Sequence, residues 1–153
     1  MTADWWTAVG AALGAGFVSG AVTIALAEAS AFGAAALESS SLRIAVIVAF
    51  TLGHVAGKGL WYWAGTQERR ITRPSLRRWI DRAHTLAAQH PTLSLGVTFT
   101  SAAVSLPPFH LMAITAGIVR TPAVPFFAVA FVGRLLRFSV IAATPAALQW
   151  LMK

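Results

Sequence analysis

From Val124 to Met152 the chain carries no charge except at two arginines, Arg134 and Arg137. The run exceeds the roughly 20 residues that take a helix across the hydrocarbon core of a bilayer. The arginines stand at positions i and i+3, so a helix puts them on one face. Arginine keeps its charge inside a protein, and a guanidinium at membrane depth is expensive. It must meet a carboxylate, backbone carbonyls, water or an anionic ligand, and the rest of the chain has to supply or admit that partner.

Composition places the arginines in a membrane rather than in a soluble core. Hydrophobic residues make up 57% of the chain and charged residues 11%, with a mean hydropathy of +0.68. A soluble domain carries about 25% charged residues. At 153 residues the chain is expected to be one domain, without room for a separate soluble module. There is no cysteine, which excludes disulfides, thiolate metal sites and thiol nucleophiles. The net charge of +7 does not point to nucleic acid, because six of the twelve Lys and Arg residues fall between Arg69 and Arg82, between apolar blocks. That is the positive-inside pattern of a cytoplasmic loop or surface helix. The opening MTADWW lacks the basic n-region of a signal peptide, so the first apolar block is expected in the mature chain.

That first block, Trp5 to Leu37, is rich in Gly, Ala and Ser and holds one charge, Glu28. It is too long for one ordinary crossing and too short for two with a turn. Two readings fit: a helical hairpin bent near Glu28, or one long tilted helix with Glu28 facing a neighbour. The hairpin is favoured because intramembrane acids gather at functional breaks. Glu38 to Ser41 form a polar break with helix N-cap residues. Leu42 to Gly65 then fits a single spanning helix, with Gly53 and Gly57 as a close-packing pair. His54 and Lys58, at i and i+4, share a face. Lys58 is read either as a functional cation or as a side chain snorkelling to the interface. Trp61, Tyr62 and Trp63 are expected to form an interfacial aromatic belt.

Between Thr66 and Pro91 the pattern changes. Leu76, Trp79, Ile80, Ala83, Leu86 and Ala87 follow helical spacing, while Arg77, Arg78, Asp81, Arg82 and Gln89 fall largely elsewhere. This predicts an amphipathic helix lying in the interface, started near Ser75 and serving as a topology anchor. His84 and His90 are read as polar-face residues, and no metal site is expected. The third apolar block, Leu93 to Val119, has no formal charge and is interrupted by Ser105-Leu-Pro107-Pro108-Phe-His110. Adjacent prolines remove two donors and disfavour helix before them, which predicts a re-entrant hairpin, with a proline-kinked spanning helix as the alternative. In the last block Thr144-Pro145 is expected to kink the helix.

The two halves share a grammar of broken apolar block, short polar break and spanning helix with buried basic residues. Val48-Ala49-Phe50-Thr51-Leu52-Gly53-His54 reads beside Val129-Ala130-Phe131-Val132-Gly133-Arg134 with a one-residue slip, and Ala21-Val22-Thr23 beside Gly96-Val97-Thr98. The expected fold is therefore an all-α integral membrane protein of two inverted repeats. Each is a broken re-entrant helical hairpin plus a transmembrane helix, covering residues 5–65 and 92–152, with an interfacial helix at 66–91 between them. The broken elements would meet near the midplane, with Glu28 facing Arg134 and Arg137.

On Glu28, Leu52-Gly53-His54 through Gly57 to Tyr62 and Gly65, Leu106-Pro107-Pro108 with Ala116-Gly117, and Gly133-Arg134-Leu-Leu-Arg137-Phe138, the chain resembles the DedA family. That family is also called SNARE-associated or VTT-domain, and the likeness is to its short bacterial YqaA-type branch. The resemblance implies opposed re-entrant hairpins around a polar cavity. It implies transport of phospholipid or polyprenyl phosphate between leaflets, coupled in some members to protons, in the bacterial cytoplasmic membrane. The family's functional glutamate maps onto Glu28 and its paired basic residues onto Arg134 and Arg137. The chain departs from the family at Leu26-Ala27-Glu28, where many members have a PGE-like turn. It also has His54 beside Gly53, and His110 after the prolines, where acids are common. Imidazole titrates in the useful range, so Glu28, His54 and His110 are the candidate proton-coupling residues.

The expected function is a flippase- or scramblase-type lipid transporter. Arg134 and Arg137 would hold the headgroup phosphate, Glu28 would neutralise them when the site is empty, and Lys58, Pro107 and Pro108 are secondary site candidates. No cofactor, metal or nucleic acid is expected, and an oligomer is compatible with the sequence. Two alternatives stay open: a proton-coupled carrier for a small anion, and a membrane scaffold in which the Glu28–arginine contact only fixes packing. An enzyme is not expected, because HExxH, GxSxG and Asp-rich metal motifs are all absent.

Overall fold

The computed structural model describes residues 3–22, 39–67 and 89–151, together with Arg78, Asp81, Arg82 and Thr85. Among the described residues there are five helices and no strand: α1 (Ala3–Val22), α2 (Ser40–Thr66), α3 (Pro91–Val104), α4 (Phe109–Ile118) and α5 (Ala123–Leu151). Three segments are long and apolar enough to cross a membrane, Asp4–Val22, Ser40–Thr66 and Ala123–Thr144. The apolar blocks expected at 42–65 and 124–152 are thus helices within about two residues of their predicted ends. Glu28, and with it the choice between hairpin and tilted helix in the first block, lies outside the described residues. So does most of the interfacial segment. Its described members Arg78, Asp81, Arg82, Thr85 and Gln89 are helical and all exposed, at spacings that put them on one face.

The chain divides into two compact units, Met1–Gly57 with Arg134–Lys153, and Lys58–Gly133. They cut across the two sequence halves, because α2 and α5 each contribute to both units.

In the first unit α1 packs on α2 through glycines. Gly16 and Gly20 lie against the backbone of Phe50 and His54, and Gly53 and Gly57 against that of Leu13 and Phe17. A Cβ at any of these four positions would run into a main-chain carbonyl, so the approach requires glycine. The C-terminal part of α5 closes the unit, with Phe138 and Ala142 in one apolar cluster with Ile47 and Phe50 of α2. The Phe50 and Phe138 rings meet edge to face at 5.2 Å.

In the second unit the expected break falls at the prolines and is complete. α3 stops at Val104 and α4 starts at Phe109. Ser105 takes the left-handed conformation (φ 66, ψ 21), and its N–H donates to the Ser101 carbonyl at 2.8 Å. Ser101 Oγ donates to the Pro107 carbonyl at 2.5 Å, and the Leu106–Pro107 bond is cis. A continuous kinked helix is therefore replaced by two short helices of 14 and 10 residues, packed on each other. Neither reaches the roughly 20 residues of a full span. α4 ends in a Schellman arrangement. Thr121 N–H bonds the Ala116 carbonyl at 2.9 Å and Arg120 N–H that of Gly117 at 3.1 Å, with Arg120 at φ 53. Glycines again set the close contacts: Gly65 of α2 against Ile114, Gly117 of α4 against Tyr62, and Gly133 of α5 against Phe99 and Ala102 of α3.

Candidate functional site

A charge or polar group inside these helix contacts has to be accounted for, because each was taken from water at a cost. In the first unit Arg134 is 3% exposed and His54 1%, with Ser19 and Thr51 also buried. Ser19 Oγ lies 3.4 Å from His54 Nδ1, across the glycine contact of α1 and α2. Thr51 Oγ1 donates to the Ile47 carbonyl of its own helix at 2.7 Å. The His54 ring meets Phe138 edge-on at 5.4 Å and lies parallel to Phe50 at 6.3 Å. Phe138 stands one turn beyond Arg134 on the same face of α5. The structure therefore puts the buried arginine on the α5 face that packs against the His54 side of α2. Arg137, three residues on along the same helix, is half-buried.

The second unit holds the other candidates. Lys58 is 2% exposed, so its ammonium is enclosed by protein rather than snorkelling along the helix surface. His110 is half-buried in the first turn of α4, with its ring 6.0 Å from that of Trp61. Pro107 and Pro108 form the break that ends α3 and aims α4. The expected belt residues Trp61, Tyr62 and Trp63 differ in their surroundings. Trp63 is exposed, but Trp61 packs on His110. Tyr62 stacks on Phe126, and its hydroxyl donates to the Thr121 carbonyl at 2.6 Å.

Four buried polar residues, Ser19, Thr51, Thr98 and Ser101, were missed from sequence. Ser19 had a signal, since Gly16-x-x-Ser19-Gly20 is a small-residue face with one hydroxyl on it. Thr98 and Ser101 of α3 had none: the Thr98 hydroxyl donates to the Ser94 carbonyl of its own helix at 2.9 Å, and the Ser101 bond depends on the turn that follows. Among the described residues no cluster of three His, Cys, Asp or Glu could hold a metal ion. As for resident chemistry, the arrangement offers cationic and imidazole donors buried between apolar helices, which suits an anion or a proton. No family model, curated protein or solved structure matches this chain.

Proposed function

We propose that the protein is a membrane lipid transporter of the flippase or scramblase type, a DedA-like protein of the bacterial cytoplasmic membrane. Its cargo would be phospholipid or polyprenyl phosphate. The observation that carries the reading is Arg134, buried to 3% exposure within a helix long and apolar enough to span the bilayer. A guanidinium held there suits bidentate recognition of a phosphate. Arg137 is the second contact, and Glu28 is the counter-charge that phosphate displaces. His54, beside Ser19 on the α2 side that faces Phe138, is one protonatable group, and proton coupling would run through it or through Glu28 and His110.

Two features support the architecture that goes with this reading. The broken pair α3 and α4 is too short on each side to span, which fits a re-entrant hairpin. The matched glycines Gly53 and Gly133 each pack on the first helix of their own half, α1 and α3, as an internal repeat requires.

The test is leaflet exchange in proteoliposomes with Glu28→Gln and Arg134→Ala beside wild type. Both variants should insert and lose exchange. Normal exchange by Arg134→Ala contradicts the mechanism. Uptake of a small anion without lipid exchange would instead identify the small-anion carrier, and neither activity in folded protein the scaffold.

A further inference from the structure

Half of the chain's twelve basic residues lie between α2 and α3, as six arginines against the two acids Glu68 and Asp81. Two of these arginines, Arg78 and Arg82, are helical and exposed, and they share a face with exposed Asp81, Thr85 and Gln89. By sequence spacing the apolar positions Leu76, Ile80, Ala83 and Ala87 fall opposite that face. Arg78 and Arg82 stand at i and i+4, where like charges repel, and an anion beside them turns the repulsion into attraction. The segment is tied at both ends to apolar helices. It leaves from Thr66, the end of a helix long and apolar enough to span a bilayer, and rejoins at Pro91. Trp63, exposed three residues before Thr66, is of the type that gathers where a spanning helix meets the headgroups. The arginines are thus tethered beside a leaflet surface. A helix is about 10 Å across, and one sunk to the acyl boundary keeps its polar face in the headgroup layer, within reach of long arginine stems.

We propose that Arg78 and Arg82 form a docking face for anionic phospholipid headgroups of the leaflet at which α2 ends. Arginine keeps its charge and grips a phosphate through two N–H groups. Each arginine near a negative surface strengthens the attraction about fivefold, the equivalent of about 1 kcal/mol, and Asp81 works against it. A lipid surface is favoured over a soluble acidic partner because the tether at Thr66 and Pro91 holds the face beside lipid already. This face does not depend on the lipid-transport reading.

The chain has no cysteine, so a single introduced one can carry a reporter. Thr85→Cys puts an environment-sensitive fluorophore on the arginine face, three residues beyond Arg82. The whole protein is placed in lipid nanodiscs, both faces of which are open to solution. The discs hold phosphatidylcholine alone or equal parts phosphatidylcholine and phosphatidylglycerol, and quenching by acrylamide, which is neutral, reads access to the label. Phosphatidylglycerol should shield the label, and raised salt should restore access. Arg78→Gln and Arg82→Gln should each move the ratio of shielded to exposed label about fivefold toward exposed, and the double variant should lose the response. Asp81→Asn should move it the other way, a gain that misfolding does not produce. The readout is local to residue 85, so phosphatidylglycerol held at Arg134 neither produces nor hides it. Equal shielding in both lipids, or none in either, overturns the proposal, as does an unchanged response in the double variant. A label at Ser41→Cys, near the other end of α2, that follows the arginine substitutions as closely also overturns it, by showing a change in the whole protein. Shielding by heparin, a soluble polyanion, where phosphatidylglycerol gives none overturns it in favour of an acidic macromolecular partner.

Discussion

Arg134 is the residue on which the functional reading turns. Its guanidinium is buried on the α5 face that carries Phe138, and Phe138 packs on Phe50 and His54. Lysine would keep the charge but not the planar fork. Arg134→Lys is therefore expected to insert normally and lose exchange at least about tenfold, the equivalent of roughly 1.4 kcal/mol of barrier. Exchange rates of purified, reconstituted variants check this. Ser19→Ala tests the neighbouring contact. It removes the hydroxyl 3.4 Å from His54 Nδ1, and the expected result is a changed pH profile of exchange with little change in insertion. At this scale the sequence was informative where a charge stood in an apolar run, as at Arg134, Lys58 and His54. It was silent on Ser101, whose bond to the Pro107 carbonyl depends on the turn after α3, and on the bond of the Tyr62 hydroxyl to the Thr121 carbonyl, which depends on which elements meet.

The elements are held by backbone-to-backbone approach at glycine. Gly53 meets Leu13 and Phe17, and Gly117 meets Tyr62, with no room for a methyl group. Gly53→Ala and Gly117→Ala should each lower stability by about 1–3 kcal/mol, the usual cost of overpacking. Gly14→Ala, where nothing lies within 4 Å, should not. Thermal unfolding in detergent separates the two classes. The opposite effect is expected at the end of α4. Arg120 occupies the left-handed C′ position of the Schellman turn, and Arg120→Gly should stabilise the fold by about 1 kcal/mol. Element existence was legible because apolar length and proline placement are local properties, and α2, α5 and the Pro107–Pro108 break came out where they were predicted. The left-handed Ser105 was not, since a non-glycine αL residue leaves no compositional trace. Nor was the choice of glycines: Gly10 and Gly14 read like Gly16 and Gly20 in the sequence, yet only the second pair meets α2.

At the scale of the whole molecule, three potential spans and one broken helix pair carry a small set of buried cationic and imidazole groups. Burying Arg134, Lys58 and His54 inside an apolar chain is costly for a scaffold, which could fill the same space with leucine or methionine at no electrostatic cost. Apolar replacement therefore discriminates. A scaffold becomes as stable or more stable and loses nothing, whereas a transporter keeps its fold and loses its activity. The most direct measurement is leaflet exchange of labelled phospholipid and of polyprenyl phosphate in proteoliposomes, wild type beside Arg134→Met, with insertion and thermal stability measured on the same samples. Wild type should exchange at least one lipid, and the variant should lose that exchange while still inserted and folded. Exchange that survives in Arg134→Met, or folded wild type that exchanges neither lipid, would contradict the transport reading.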